Sequence, residues 1–385
     1  MSKKKVLYYM PDNPLKGRGG NLTRCNQMLS YFQKKSDLLD VHFISSMDWD
    51  SESKEEFYMK YPSINLKIFP FKMSKSNIFE YLIRDKIPKE IEKALIGDTF
   101  DSTTPYFRSI FKKDIAENQY DIVVISYAIW GNLIKDIEGP YFIIDTHDFM
   151  TLQYKIKTEN THKLNIGSLF KSEMDILKKF DEIWTYSIEE QYIFEQFTDK
   201  KVNLVPVSFP VIHLNENRSV KYEVLYVASD NPHNVKSIKW FLDKVFPFLQ
   251  NIDIYIIGKI CDVIEDTPNI IKLGIVDDLE GIYRNTRICI CPMVTGTGVK
   301  IKVLESLSYG LPMVTTRRGV DGLINKSQNG CMVSDEPSIF ADNIKQLLND
   351  QQLYSKMKAE AQSYFTQNHD EQREEYMLNQ VFIPN

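Results

Sequence analysis

Short apolar runs alternate with stretches of helical spacing from one end of the chain to the other. Val6–Met10 is a compact apolar run closed by Pro11 and a glycine cluster, and Leu22–Phe32 then repeats its large residues at helical intervals. Val41–Ser45, Leu66–Phe69, Asp121–Ser126, Tyr141–Asp145, Glu182–Thr185 and Val202–Val205 read as further strands, with helices near Ser168–Phe180 and Ile188–Phe197. Pro206, Pro210 and the polar stretch Asn215–Ser219 interrupt the pattern as a linker. The alternation then restarts with strand Glu223–Val227, helix Val235–Leu249, strands Ile252–Ile257 and Ile270–Leu273, and a short helix at Asp278–Tyr283. Strand Ile288–Cys291, helix Lys300–Tyr309 and strand Met313–Thr315 follow, and two helices near Ser338–Leu348 and Gln352–Phe365 precede a charged tail. Apolar strands joined by helices call for parallel sheets covered on both faces. The predicted fold class is therefore α/β, with two doubly wound domains facing a central cleft. The first spans residues 1–210 and the second 211–365, and residues 366–385 form a tail that packs back on the first.

Composition narrows the function classes. A chain of 385 residues with 43% hydrophobic and 26% charged residues has material for two cores. The net charge of −5 is spread without a basic half, which argues against nucleic acid as a partner. Five cysteines, odd in number and without a CxxC pair, argue against a disulfide framework or a zinc site. The lysines Lys3, Lys4 and Lys5 lead straight into a strand instead of an apolar signal segment, and Ile122–Trp130 is far short of the ~20 residues of a membrane span. A cytoplasmic protein is expected, with the inner face of the membrane as a possible place of work. The stretch from about Lys72 to Glu117 is charged, aromatic and helix-like, and its Lys72–Lys113 region reads as amphipathic helices of the core; contact with a lipid-linked acceptor at a membrane surface is the alternative.

The densest chemistry lies in Cys291–Tyr309. A loop of small residues, Thr295-Gly296-Thr297-Gly298, joins a strand to a helix, and such a loop presents backbone N–H groups and a positive helix end to an anion. Val299, Val303, Leu304 and Leu307 fall on the core face of that helix, whereas Lys302, Glu305 and Tyr309 form a narrow polar stripe. Lys300 and Lys302 in the first turn oppose the helix dipole, a cost that a bound anion reverses. Glu305, one turn deeper, suits hydroxyl groups of a ribose or sugar. The plain reading is a helix with an exposed Lys302–Glu305 pair.

The run Gly296-Thr297-Gly298-Val-Lys300-Ile-Lys302-Val-Leu-Glu305-Ser-Leu-Ser-Tyr-Gly310-Leu-Pro312 resembles the donor site of GT-B-fold glycosyltransferases, in particular the retaining glycosyltransferase family four. The resemblance implies two Rossmann-like domains, a nucleoside-diphosphate sugar as co-substrate (UDP or GDP), no tightly bound cofactor and no metal. It gives the nucleotide ribose to Glu305 and the diphosphate to Lys302, with Lys300 as a weaker candidate and the backbone of Gly298 and Val299 as further donors. Where many members carry a sugar-binding glutamate, this chain has Thr297. The segment from Tyr226 to Phe241 is similar to a family variant reading Gly-Ser-x-x-x-x-Asn, so Ser229 and Asn231 become donor-cleft candidates; the equally weighted alternative is that Asn234 is only a helix cap. The usual Arg/Lys pair is absent. By the same resemblance Val276 would contact the base, and Gly19 and Gly20 the donor phosphate or acceptor, with Arg18 adding charge. His147, in Asp145-Thr-His-Asp148, would act on the donor sugar as a catalytic residue together with Glu305. Arg317 and Arg318 read as solvated surface.

The implied reaction moves a sugar to an acceptor hydroxyl, with retention, in bacterial polysaccharide or glycoconjugate synthesis. A glycan, a glycolipid or a protein-linked glycan would be the acceptor. A catalytically silent GT-B partner subunit and a nucleotide-sugar 2-epimerase are the alternatives. A Rossmann dehydrogenase is disfavoured because Gly17–Gly20 does not match GxGxxG.

Overall fold

A computed structural model describes residues 2–17, 19–96, 99–157, 165–215 and 218–383. The chain divides into two compact units. One comprises Met1–Thr185, Glu190–Val205 and Met377–Asn385; the other comprises Tyr186–Glu189 and Pro206–Tyr376. The closing helix Glu371–Phe382 runs through the second boundary.

The first unit holds a seven-stranded parallel sheet of β1 (Lys4–Tyr9), β2 (Leu39–Ser45), β3 (Ile64–Ile68), β4 (Ile122–Ser126), β5 (Tyr141–Asp145), β6 (Glu182–Thr185) and β7 (Lys201–Leu204), in the order β3-β2-β1-β4-β5-β6-β7. Val6 pairs with Val41 on one side and Ile122 on the other. Its inner strands are buried on both faces, which is why they read as continuous apolar runs. On one face Tyr9, Phe107, Phe111 and Trp130 meet edge to face, with Tyr9 and Phe111 centroids 5.1 Å apart. Against the other, Phe382 of the closing helix packs on Phe32 and Trp184.

The second unit repeats the plan with β8 (Tyr222–Val227), β9 (Ile254–Ile257), β10 (Ile270–Gly274), β11 (Thr286–Cys291), β12 (Met313–Thr315) and β13 (Cys331–Val333), in the order β10-β9-β8-β11-β12-β13. Val224, Ile254, Ile288 and Val314 meet Phe241, Phe340 and Ile344 in its core. In each sheet the strand order reverses beside the first strand, between β1 and β4 and between β8 and β11. The crevice beyond the carboxyl ends of those strands is where such sheets take ligands.

Three local features differ from the sequence reading. The helix expected over Val235–Leu249 is regular only from Pro232 to Trp240, then widens at Phe241–Val245 and tightens at Phe246–Phe248. Pro247 has no N–H to continue the ladder. The helix expected from Lys300 begins at Ile301, with Lys300 as its N-cap. The stretch from Ile78 to Ile96, read as core-packed, turns its large residues outward: Phe79 is 74% exposed and Leu95 81%. All five cysteines are buried thiols.

His369 ends the helix Gln351–His369, places Nδ1 3.1 Å from the Val207 carbonyl and stacks on Phe365. Burial lowers its pKa from 6.5 to about 4. The fold thus favours the neutral ring, and its contribution is present above pH 6.5 and lost as pH falls toward 4. We expect the stability advantage of the wild type over His369→Gln to shrink by up to ~3 kcal/mol between pH 7 and pH 4, read by urea unfolding. A pH-independent difference would show that the ring ionises freely in the folded protein.

Candidate active site

At the carboxyl end of β11 the chain needs two left-handed residues to turn from strand to helix, and glycine occupies both: φ is +102° at Gly296 and +68° at Gly298. Lys300 then folds its side chain back, so that Nζ donates to the carbonyls of Thr297 (3.0 Å) and Gly298 (2.6 Å). In a trans peptide the N–H points opposite to the carbonyl. The N–H groups of Gly298 and Val299, which belong to the same two peptides, are therefore turned away from the ammonium. Gly322, at φ +86°, closes the loop from behind; a Cβ there would lie 3.1 Å from the Val299 nitrogen. The helix Ile301–Ser308 starts directly after this turn with no acidic residue and no side-chain cap in its first turn. Its amino end keeps its partial positive charge.

The second cation, Lys302, points across the reversal of the sheet to the end of β8. Its Nζ lies 2.8 Å from Asn234 Oδ1 and 4.9 Å from the centre of the Tyr226 ring. Removal from water lowers its pKa from 10.5 to about 8. Ser229 and Asn231 follow β8 and build the same corner. Asn231 caps the helix Pro232–Trp240 by accepting from the Asn234 N–H at 2.9 Å, and Asn234 Nδ2 donates to the Ser229 carbonyl at 3.0 Å. The turn after β9 closes tightly on this strand: Gly258 has φ +103°, and a Cβ there would overlap the Ala228 carbonyl at 2.1 Å.

Glu305 lies one turn deeper in the helix. Burial raises its pKa, and the Tyr283 hydroxyl, 3.3 Å from Oε2, partly offsets that. Tyr283 is itself held by stacking on Tyr309 at 5.1 Å. Val276 lies in the connection from β10 to the helix Leu279–Arg284, which carries Tyr283. The second unit thus gathers Ser229, Asn231, Thr297, Gly298, Val299, Lys300, Lys302 and Glu305 around the ends of β8 and β11. Arg317 and Arg318 make exposed pairs with Asp335 and Asp321.

The residues singled out in the first unit lie at the corresponding edge of its own sheet. Gly19 is the extended N-cap of the helix Gly20–Lys34 that follows β1; Arg18 lies outside the described residues. Past β5, His147 adopts φ +55°, and its side chain is only 4% exposed, beneath the Tyr127 ring at 4.5 Å. Asp145 Oδ2 lies 3.8 Å from His147 Nε2 and 3.9 Å from the buried guanidinium of Arg24. Burial lowers the His147 pKa, so the ring is neutral near pH 7. Among the described residues no group of three His, Cys, Asp or Glu side chains could hold a metal ion. Sequence reasoning missed Arg24, Tyr226 and Tyr283, and it gave Asn234 no part in the site. Nothing in their spacing links them to the glycine loop.

Residues 221–350 match the family described as glycosyl transferases group 1. An uncharacterized 44.6 kDa protein in the cps region of Klebsiella pneumoniae is 24% identical over 284 residues, covering 63% of this chain and 71% of that protein. Among solved structures, Anabaena Alr3699/HepE in complex with UDP aligns with a TM-score of 0.68 at 11% identity, over 98% of this chain and 99% of that one. TarM gives 0.68 at 11% identity over 99% of both chains. WaaG, a glycosyltransferase involved in lipopolysaccharide biosynthesis, gives 0.58 at 12% identity over 99% of this chain and 100% of its own. At such identities the structural likeness speaks for the fold, and the chemistry comes from the matched segment, which contains the glycine loop, Lys302 and Glu305. The chain carries a glycosyl transferases group 1 segment in its second unit and is a glycosyltransferase of the GT-B fold.

Proposed function

We propose that the protein moves a sugar from a UDP-sugar to an acceptor hydroxyl, with retention at the anomeric carbon, in bacterial polysaccharide or glycoconjugate synthesis. The observation that carries this reading is the glycine turn into an uncapped helix start that holds two lysines and no acidic residue, with the Lys302 ammonium on a neutral amide. Breaking the glycosidic bond leaves negative charge on the departing diphosphate. Prearranged N–H dipoles and one cation stabilise that charge without reorganising when it appears. Glu305, with Oε2 turned to Tyr283, accepts hydrogen bonds from the nucleotide ribose. Thr297 stands at the sugar end, where its hydroxyl serves as a neutral partner. The leaving phosphate takes the acceptor proton on the same face of the sugar, so configuration is kept. His147, neutral and buried beneath Tyr127, shapes the carboxyl end of β5 within the first unit.

The comparisons support the choice of donor. HepE has been solved with UDP, with UDP and glucose, and with UDP-glucose, and Staphylococcus aureus TarM with UDP and α-GlcNAc-glycerol. The cps region that encodes the Klebsiella relative supports the biosynthetic setting.

The acceptor is lipid-linked on this reading, and the first unit meets it at a membrane surface. No helix among the described residues is long and apolar enough to cross a membrane. Yet Phe79, Ile83, Ile87, Ile91 and Leu95 recur every four residues along the outer side of the stretch from Ile78 to Ile96, each at least half exposed. Asp85 of the same stretch is buried, which inverts the usual arrangement of a surface helix. Glu80 is paired with Arg84, and Glu92 with Arg108. Lys86 and Lys89 lie within the same stretch, and Lys72 and Lys75 just precede it. An apolar stripe bordered by lysines suits an anionic bilayer.

The transfer reading is tested by incubating the protein with UDP-glucose, UDP-GlcNAc and GDP-mannose, and assigning the anomeric configuration of released sugar or product by NMR. Glu305→Ala should abolish turnover while leaving the unfolding midpoint within about 2 °C; full activity would remove Glu305 from the site. Loss of all turnover in the wild type, with UDP still bound, would favour the silent partner subunit.

Binding of the diphosphate requires the charged form of Lys302. With a pKa of about 8, that form dominates at pH 7 and is the minor one at pH 9. UDP affinity should therefore fall above pH 8 by up to about tenfold per pH unit, with uridine affinity unchanged. Lys302→Arg should flatten the profile, because guanidinium stays charged. Calorimetric titration at pH 7, 8 and 9 checks this, and parallel profiles for UDP and uridine would reject the phosphate role.

Vesicle sedimentation tests the membrane contact. Wild type should bind phosphatidylglycerol-containing vesicles, and Phe79→Ser with Leu95→Ser should weaken this by at least about tenfold without altering UDP binding. Equal binding by both proteins would dismiss the stripe as a lipid contact.

A further inference from the structure

The Lys302 side chain is partly buried, with its ammonium withdrawn from water beneath the ends of β8 and β11. Among the described residues no carboxylate lies within ion-pair distance of it, and the side-chain acceptor it meets is the amide oxygen of Asn234. Asn234 is 4% exposed and sits one turn into the helix Pro232–Trp240, across the sheet reversal from Lys302. The orientation of its amide is fixed by chemistry. Its NH₂ donates to the Ser229 carbonyl, which can only accept, and lies 3.2 Å from the Ser229 hydroxyl. The oxygen must then face the ammonium. Its backbone N–H is held by the Asn231 cap, so the residue is clamped at both ends.

We propose that Asn234 is the positioning residue for the leaving-group cation: it holds Lys302 in place as a neutral acceptor and leaves the ammonium's charge for the donor diphosphate. The inference rests on the diphosphate reading of Lys302. A carboxylate at this position would hold the lysine more strongly but would neutralise it toward the phosphate. An apolar side chain would leave a desolvated ammonium with one acceptor fewer, and it would discharge. The amide avoids both outcomes. The other groups around Lys302 do not replace it. Cys291 on β11 is a buried thiol whose pKa is raised by desolvation, Tyr226 on β8 offers its ring face, Lys300 repels, and Glu305, one turn along the same helix, favours the ammonium's charge without pairing with it. The pairing also accounts for the absence of an Arg/Lys pair after β8. The cation comes from the helix after β11, and the loop after β8 supplies its holder.

The test compares Asn234→Asp, close in size, with Asn234→Leu. The ionisation of Lys302 is followed by pH-dependent acetylation and peptide mass spectrometry in the protein without nucleotide. UDP and uridine affinities are measured by calorimetry at pH 6.5 and 7.5. In Asn234→Leu, Lys302 should react as a free amine at lower pH than in the wild type. UDP affinity should fall by at least about tenfold at pH 7.5, recover in part at pH 6.5, and leave uridine within about twofold. In Asn234→Asp, Lys302 should titrate at higher pH, yet UDP should still bind at least about tenfold more weakly at both pH values. An unchanged Lys302 titration in both variants, or equal losses for UDP and uridine, overturns the proposal. Lys302→Ala separates the two readings. Unaltered UDP affinity in that variant would sink the phosphate role of Lys302, while the acetylation profiles still decide whether Asn234 holds the lysine.

Discussion

A cation near the start of a helix is in the wrong place electrostatically, and this chain puts two of them there. Lys300 and Lys302 flank the first residue of the helix Ile301–Ser308, with no acidic side chain in the first turn to compensate. The structure resolves the conflict differently for each. Lys300 turns back on the carbonyls of its own loop, so that its charge shapes the turn and the Gly298 and Val299 N–H groups face away from it. Lys302 is drawn onto a neutral amide and an aromatic face, where desolvation lowers its pKa and leaves its charge uncommitted. An anion at the amino end of this helix would offset both cations.

That constraint explains why the surrounding glycines are where they are. Gly258 lets the end of β9 close against Ala228, and Gly322 lets the loop after β12 lie against Val299. Each removes a side chain that would push the loop away from the strand ends. The same economy governs the first unit, where the buried Arg24 and Asp145 surround a neutral His147 in left-handed backbone conformation. Both units thus place their polar groups at the carboxyl ends of parallel strands, beside the strand order reversal, as doubly wound sheets require.

Most of the strands could be read from the chain because parallel strands buried on both faces leave apolar runs. Val6–Met10, Ile122–Ile125 and Ile288–Cys291 are such runs, and each is a central strand. The short edge strand Cys331–Val333 was not legible, since three residues carry no period. The stretch Ile78–Ile96 misled for the opposite reason. Its four-residue spacing states that one face is apolar, but spacing cannot say whether that face meets protein or solvent.

The sequence by itself determined the two-fold α/β plan, the glycine turn with its helix, and the stripe that carries Lys302 and Glu305, because each is set by residues within a few positions of one another. Tertiary structure alone decided which partner each charge would meet. Asn234 lies 68 positions from Lys302 along the chain, a gap closed by the pairing of β8 with β11, and Tyr283 lies 22 positions from Glu305, on the opposite side of β11 in the chain. Local spacing encodes which face a side chain occupies, whereas the ionisation of a buried group depends on its neighbours in space, and those are fixed only once the strands have paired.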